Sequence, residues 1–331
     1  MRRRDFIVGA GAAGVLSVTR PRVALAQQSR RQVIGFLSGQ PLGARPHLLA
    51  AFHKGLGEEG LVEGKNIQLV YRSADGRPER LPELAAALVR SKVDIIVATG
   101  GGTAVALAAK KQTDSIPIVF TTGTDPVIAG LVPALHRPGG NVTGVSFLIN
   151  ELVAKRLELL SELVPHTGMI VALVNPRTAS SARQTAEIEA AAMKLRLKVE
   201  FLTASTEAEI DAAFAELSAM KADAILVSAD PFYNSRRHQI TSLAARSGIP
   251  ASYFLREFVE AGGLMSYGTN QTAVYRLAGT YVGLILKGAK PGDLPVQQST
   301  RFELMLNLRT AKALGIEFPA TLLAIADEVI E

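Results

Sequence analysis

Three consecutive glycines carry the most chemically suggestive spacing in the chain. Gly100-Gly101-Gly102-Thr103 follows an apolar run, Asp94 to Thr99, and precedes an alanine-rich helical pattern. A glycine corner ahead of a helix lets backbone N–H groups approach an anionic group, and Thr103 adds a hydroxyl. The same glycines suit a tight turn before a closely packed helix, so both readings stand. The corner lacks the Lys-Ser/Thr ending of a phosphate-binding loop, and no G-x-G-x-x-G with a distant acidic residue marks a dinucleotide site. His47, His53, His136, His166 and His238 form no H-E-x-x-H or H-x-H set. Gly144-Val145-Ser146 does not complete a G-x-S-x-G elbow. The spacing therefore marks no catalytic centre, metal site or cofactor site. Isolated Ser, His and Asp residues leave a cleft hydrolase as the enzymatic alternative.

The elements that must position such a corner repeat along the chain. Ala222 to Ala229 reads as a buried parallel strand, and Asp230-Pro231 then opens a helix. Asn175-Pro176 does the same after Met169 to Val174, and Asp125-Pro126 after Ile118 to Thr122. Asp or Asn at the N-cap with Pro at the first helical position is a helix-start signal. Apolar strands that each feed a helix predict an α/β fold with parallel sheets, and ligands in such sheets sit beyond the carboxyl ends of the strands. Thr206 with Glu209 predicts a capping box for a further helix.

In chain order, strands are expected at 33–37, 66–71, 94–99, 118–122, 142–147, 169–174, 199–202, 222–229, 249–254, 264–268 and 302–307. Helices are expected at 46–58, 79–89, 103–110, 151–163, 182–195, 256–260, 271–287 and 320–330. This order predicts two doubly wound parallel-sheet lobes joined by a multi-strand hinge. Lobe one takes residues 27–146 plus about 254–300, and lobe two takes 147–253 plus about 301–331. A cleft between lobes is the default ligand site.

The chain has 331 residues, of which 48% are hydrophobic, enough for two cores. Its net charge is +6, but Arg2, Arg3, Arg4, Arg20 and Arg22, less Asp5, place +4 of that in the first 26 residues. The balanced remainder argues against a nucleic-acid partner. The absence of cysteine excludes disulfides, thiolate metal sites and Cys nucleophiles. Arg2-Arg3-Arg4, the apolar segment Ile7 to Leu16 and Ala24-Leu25-Ala26 read as an export signal over residues 1–26, cut near Gln27. Arg3-Arg4-Asp5-Phe6-Ile7 resembles a twin-arginine signal. The apolar segment is short of the roughly 20 residues of a membrane span. The mature product is expected to be periplasmic, soluble and monomeric.

Three further motifs carry a resemblance. Asp125-Pro126-Val127 with Gly130-Leu131-Val132, Asn141-Val142-Thr143-Gly144, and the run Asn307 to Ile316 resemble the tryptophan/tyrosine-type ABC transporter substrate-binding proteins over most of the mature chain. The resemblance implies a type I periplasmic-binding fold, three interlobe crossings, closure around a small solute, and an ABC permease and its ATPase as partners. A ligand-sensing protein without transport is the alternative outside enzymes. Sparse aromatics, 5% of residues, argue mildly against a sugar.

An amino acid zwitterion needs donors for its carboxylate and an anion for its ammonium. Gly101, Gly102 and Thr103 are the expected carboxylate contacts, and Asp230 the ammonium contact, capping its helix at the same time. Ser38, Gln40 and Thr124 lie on neighbouring strand exits. Phe232, Tyr253 and Tyr267 are candidates to wall an apolar pocket. Arg177 and Arg256 are candidates for a second carboxylate, and Asp125 reads as a cap alone.

Overall fold

Hydrophobic runs too short for helices, many of them ending in a Gly, Ser, Asn or Asp corner, form most of the strands. The computed structural model describes residues 31–147, 152–164, 168–178 and 180–331. The leader expected over residues 1–26 lies outside them, as does most of the expected first crossing near residue 150. The first strands are β1 (Gln32–Ser38), β2 (Ile67–Ser73), β3 (Ile95–Thr99), β4 (Ile118–Thr122) and β5 (Val142–Phe147). Then come β6 (Met169–Val174), β7 (Lys198–Thr203), β8 (Ala224–Val227), β9 (Ala251–Tyr253) and β10 (Met265–Thr269). The chain closes with β11 (Gln297–Ser299), β12 (Phe302–Asn307) and β13 (Glu328–Ile330).

These strands make two sheets, ordered β11-β5-β4-β3-β1-β2 and β13-β12-β10-β9-β8-β6-β7. All described pairs are parallel except β10 with β12. In the first sheet the order reverses between β1 and β3, and in the second between β6 and β8. Those two reversals are where an open α/β sheet leaves a crevice at its carboxyl edge.

Helices α1 (Pro46–Glu58), α2 (Leu81–Arg90) and α3 (Thr103–Lys110) belong with the first sheet. The second sheet takes α4 (Val153–Leu163), α5 (Ser181–Leu195), α6 (Glu207–Met220), α7 (Pro231–Ser235), α8 (Arg237–Arg246) and α9 (Arg256–Glu260). Successive strand residues serve opposite faces. In β3, Ile95 and Val97 join one core while Ile96 and Ala98 join the other. In β6, Ile170, Ala172 and Val174 point one way, and Val171 and Leu173 the other. Each lobe thus has a core on both faces of its sheet.

The return to the first lobe differs from expectation. It occurs not near residue 254 but at Asn270, because β9, α9 and β10 all remain with the second sheet. Helix α10 (Gln271–Leu286) then packs on α1. Glycines set that approach. A Cβ on Gly55 would lie 1.9 Å from the Arg276 carbonyl oxygen, and one on Gly279 would lie 2.3 Å from that of Phe52. After β11 the chain crosses again to β12, α11 (Leu308–Leu314) and α12 (Ala320–Ile325). The expected final helix over 320–330 is therefore a short helix followed by a strand. The two described crossings are stitched together: the Asn270 N–H donates to the Arg301 carbonyl at 2.9 Å, and Asn270 Nδ2 to Glu303 Oε2 at 3.0 Å.

Two expected helix starts are single turns. Asp125 Oδ1 accepts from the Val127 and Ile128 N–H groups at 2.7 and 3.2 Å, but Gly130, at φ +71°, ends the turn. Asn175 Oδ1 accepts from the Arg177 N–H at 3.0 Å, and the helix begins only at Ser181. The Thr206 cap is present, with its Oγ1 accepting from the Glu209 N–H at 3.2 Å. Glu209 reaches back to the N–H of Ser205 rather than of Thr206. Among the described residues no helix is long and apolar enough to cross a membrane.

Candidate ligand-binding cleft

On the first lobe, the ends of β1 and β3 lie back to back. A Cβ on Gly39 would stand 2.8 Å from the Cα of Gly101, so close packing demands glycine there. Gly100 and Gly102 take φ of +74° and +62°, a region that favours glycine. The glycine corner is therefore a tight turn, and it also borders a cavity. Thr103 is the first residue of α3, and Gly102 gives that helix no side-chain cap. The first-turn N–H groups thus meet no capping side chain from the N-cap residue, and the positive end of the helix dipole is directed to the same place. Ser38 serves the loop instead: its Oγ donates to the Gln40 carbonyl at 2.7 Å and accepts from the Gln40 N–H at 3.2 Å.

On the second lobe, Asp230 is 4% exposed and caps α7. Its Oδ1 accepts from the Phe232 and Tyr233 N–H groups at 2.8 and 3.2 Å and from Asn175 Nδ2 at 3.1 Å. Its Oδ2 accepts from the Thr178 hydroxyl. The cap therefore uses Oδ1, and Oδ2 keeps capacity for a further donor. Tyr233 anchors the helix beneath, donating its hydroxyl to the Ala204 carbonyl at 2.7 Å. Burial, reinforced by the charge of Asp230, raises the pKa of that phenol.

Between these corners lies a cavity of about 700 Å³, within the range that holds a small solute. Gln40, Gly101, Gly102, Thr103 and Thr124 line it from the first lobe, and Arg177, Asp230 and Phe232 from the second. The lobes touch where Gln40 Nε2 donates to the Pro231 carbonyl at 3.4 Å.

Besides Ser38, three expected candidates lie elsewhere. Tyr253 is fully buried and stacks on Phe258 at 4.7 Å, its pKa raised by burial. Strand alternation turns it into the core, and its neighbour Phe254 meets the cavity instead. Tyr267 packs into the second lobe's other core, 6.1 Å from the Phe302 ring. Arg256 is held by Glu260 at 2.9 Å, Glu303 at 3.4 Å and Glu328 at 2.8 Å, away from the cavity. Its burial disfavours the charge, but those carboxylates outweigh it and raise the guanidinium pKa.

Other lining residues were not anticipated. Asn234 is 5% exposed, and its Oδ1 is buried with no hydrogen-bond partner. Its signal was its place four residues after Asp230, one turn along the same helix. Arg45 lines the cavity from the segment ahead of Pro46 at the start of α1. Phe147, Arg183 and Tyr275 also reach it, brought there by tertiary packing that no local motif encodes.

A family model described as ABC transporter substrate binding protein matches residues 33–330. A tyrosine-binding protein of Clostridioides difficile (strain R20291) is 31% identical over 266 residues, covering 80% of this chain and 76% of that protein. The solved structure of an ABC domain in complex with L-Trp from Streptococcus pneumonia is 29% identical, with a TM-score of 0.82 over 91% of this chain and 100% of that one. The ligand-free, open structure of a substrate-binding protein with adhesive properties from Clostridium difficile is also 29% identical. It gives a TM-score of 0.69 over 90% of this chain and 99% of that one.

Proposed function

The chain belongs to the ABC transporter substrate binding protein family, and we propose that it captures a small carboxylate-bearing amino acid, with an aromatic side chain, for an importer. The family is one of binding proteins that work outside the cytoplasm, so the chain is a binding protein and not an enzyme. The observation that carries the proposal is the pairing of unlike corners across one cleft. An uncapped helix start and glycine corner suit a carboxylate, and a buried aspartate on the facing lobe suits an ammonium. Phe232, Phe254 and Phe147 supply apolar wall for a side chain. The two relatives named for tyrosine and L-Trp support the same solute class.

In this reading the leader exports the protein to the periplasm, by the twin-arginine route that Arg3-Arg4 resembles or by the general secretory one, and the mature form works as a monomer. A permease and its ATPase then accept the loaded protein. A second carboxylate on the solute is the alternative favoured by one observation, the two arginines Arg177 and Arg183 on the second lobe's side of the cavity. Native mass spectrometry of protein purified without denaturation tests the proposal. The expected retained mass is an amino acid; a retained sugar, or a retained acid without an amine, contradicts it.

A further inference from the structure

Arg45 occupies an unusual place. It lines the cavity on the first lobe, yet its side chain is only 10% exposed. Its Nη2 lies beside the glycine corner, 3.3 Å from where a Cβ on Gly100 would stand. Its Nη1 donates to Gln271 Oε1 at 2.9 Å, at the start of α10 where the chain has just recrossed. The same Nη1 lies 3.9 Å from Glu257 Oε1, which belongs to α9 of the second lobe.

Glu257 is 2% exposed, and neither of its oxygens has a hydrogen-bond partner. A buried carboxylate without donors is strongly disfavoured unless a cation compensates it. Among the described residues, the basic groups within 4.0 Å are the Arg45 guanidinium and the His47 imidazole Nε2, the latter also at 3.9 Å, and both come from the first lobe. Both contacts are longer than hydrogen bonds, so a small approach of the lobes would convert them.

Resting on the proposed carboxylate-bearing solute, we infer that Arg45 couples solute binding to lobe closure through Glu257. The planar guanidinium has donors on both sides. Its Nη2 edge faces the corner that receives the solute carboxylate, and its Nη1 edge faces the carboxylate of the opposing lobe. A solute at the corner fixes the guanidinium where Glu257 meets it on closing. Glu257 is in this account a positioning residue that never touches solute. Gly100 acquires a further role, because a side chain there would crowd the Arg45 fork.

The test measures interlobe distances and affinity together. The chain has no cysteine, so spin labels go on exposed sites through K111C in the first lobe and E216C in the second. Glu257→Gln keeps the shape and removes the charge. In solute-free protein it is expected to shift the distance distribution toward longer separations. With L-tyrosine as the probe, its affinity is expected to fall about tenfold, the scale of a modest population shift. Arg45→Met is expected to cost more, and the double variant no more than Arg45→Met alone. Unchanged distances for Glu257→Gln, or penalties of the two single variants that add in full, overturn the coupling. Thermal melts confirm that each variant is folded. If L-tyrosine fails to bind the unaltered protein, the aromatic-solute reading fails, while the solute-free distances still decide the role of Glu257.

Discussion

At Asp230 one side chain does two jobs with two oxygens. Oδ1 caps α7 and receives Asn175, while Oδ2 receives Thr178 and retains room for a cationic donor. Asp230→Asn keeps an Oδ1-like acceptor, so the cap survives, and the Thr178 hydroxyl can rotate to accept from the new amide. The expected change in stability is under about 1 kcal/mol, measured by urea unfolding. A larger loss would mean that the charge itself holds the corner. Thr103→Val is expected to lower affinity less than threefold, on the order of 0.5 kcal/mol, because backbone N–H groups share the load. A loss of tenfold or more on titration would assign the contact to the hydroxyl. The cap at Asp230 was legible because Asp-Pro after an apolar run is a local signal. Tyr253 was misplaced because a strand only three residues long leaves its inward and outward positions ambiguous from sequence.

The elements that local chemistry determines were read well: α1 begins at Pro46 and ends at Glu58 as its pattern requires, and Thr206 caps α6. Edge strands β11 and β13 were not legible. Each has three residues and exists only through its partner, β5 or β12. The return at Asn270 was missed because the commitment of β10 to the second sheet comes from pairing with β9 and β12 rather than from its own residues. Two predictions belong to this scale. Gly279→Val drives a side chain into the backbone of α1, and is expected to destabilise by about 1–3 kcal/mol or more in chemical unfolding. A neutral result would mean that α10 shifts freely on α1.

The second concerns Glu303, on β12 beside the hinge. Burial raises its pKa from 4.5 to about 7, outweighing the attraction of Arg256, with Glu257, Asp327 and Glu328 adding repulsion. The folded state therefore binds a proton that the unfolded state releases above pH 4.5. The stability this contributes is present at low pH and is lost as pH rises through about 7. Glu303→Gln is expected to flatten that decline between about pH 4.5 and 7. Parallel pH profiles of unfolding for the two proteins would contradict it.

Over the whole molecule, two lobes present opposed corners across one cavity, which the proposed solute would bridge. The two-lobed α/β architecture was legible because apolar strands alternate with helices along the chain. The facing of Gly101-Gly102 and Asp230 depends on crossings that join residues distant in sequence. A solute that binds the native cleft is expected to raise stability by about 2.7 kcal/mol at a hundredfold excess over its dissociation constant, and to narrow the interlobe distance distribution. Tight binding with neither effect would contradict closure. The most direct measurement is calorimetric titration of L-tyrosine and L-tryptophan into the unaltered protein and into folded Asp230→Asn. Binding by the unaltered protein, weakened by roughly 2–5 kcal/mol in the variant, is the predicted result for loss of a buried charge-assisted contact. Equal affinity for an amine-bearing solute in both proteins would contradict the account.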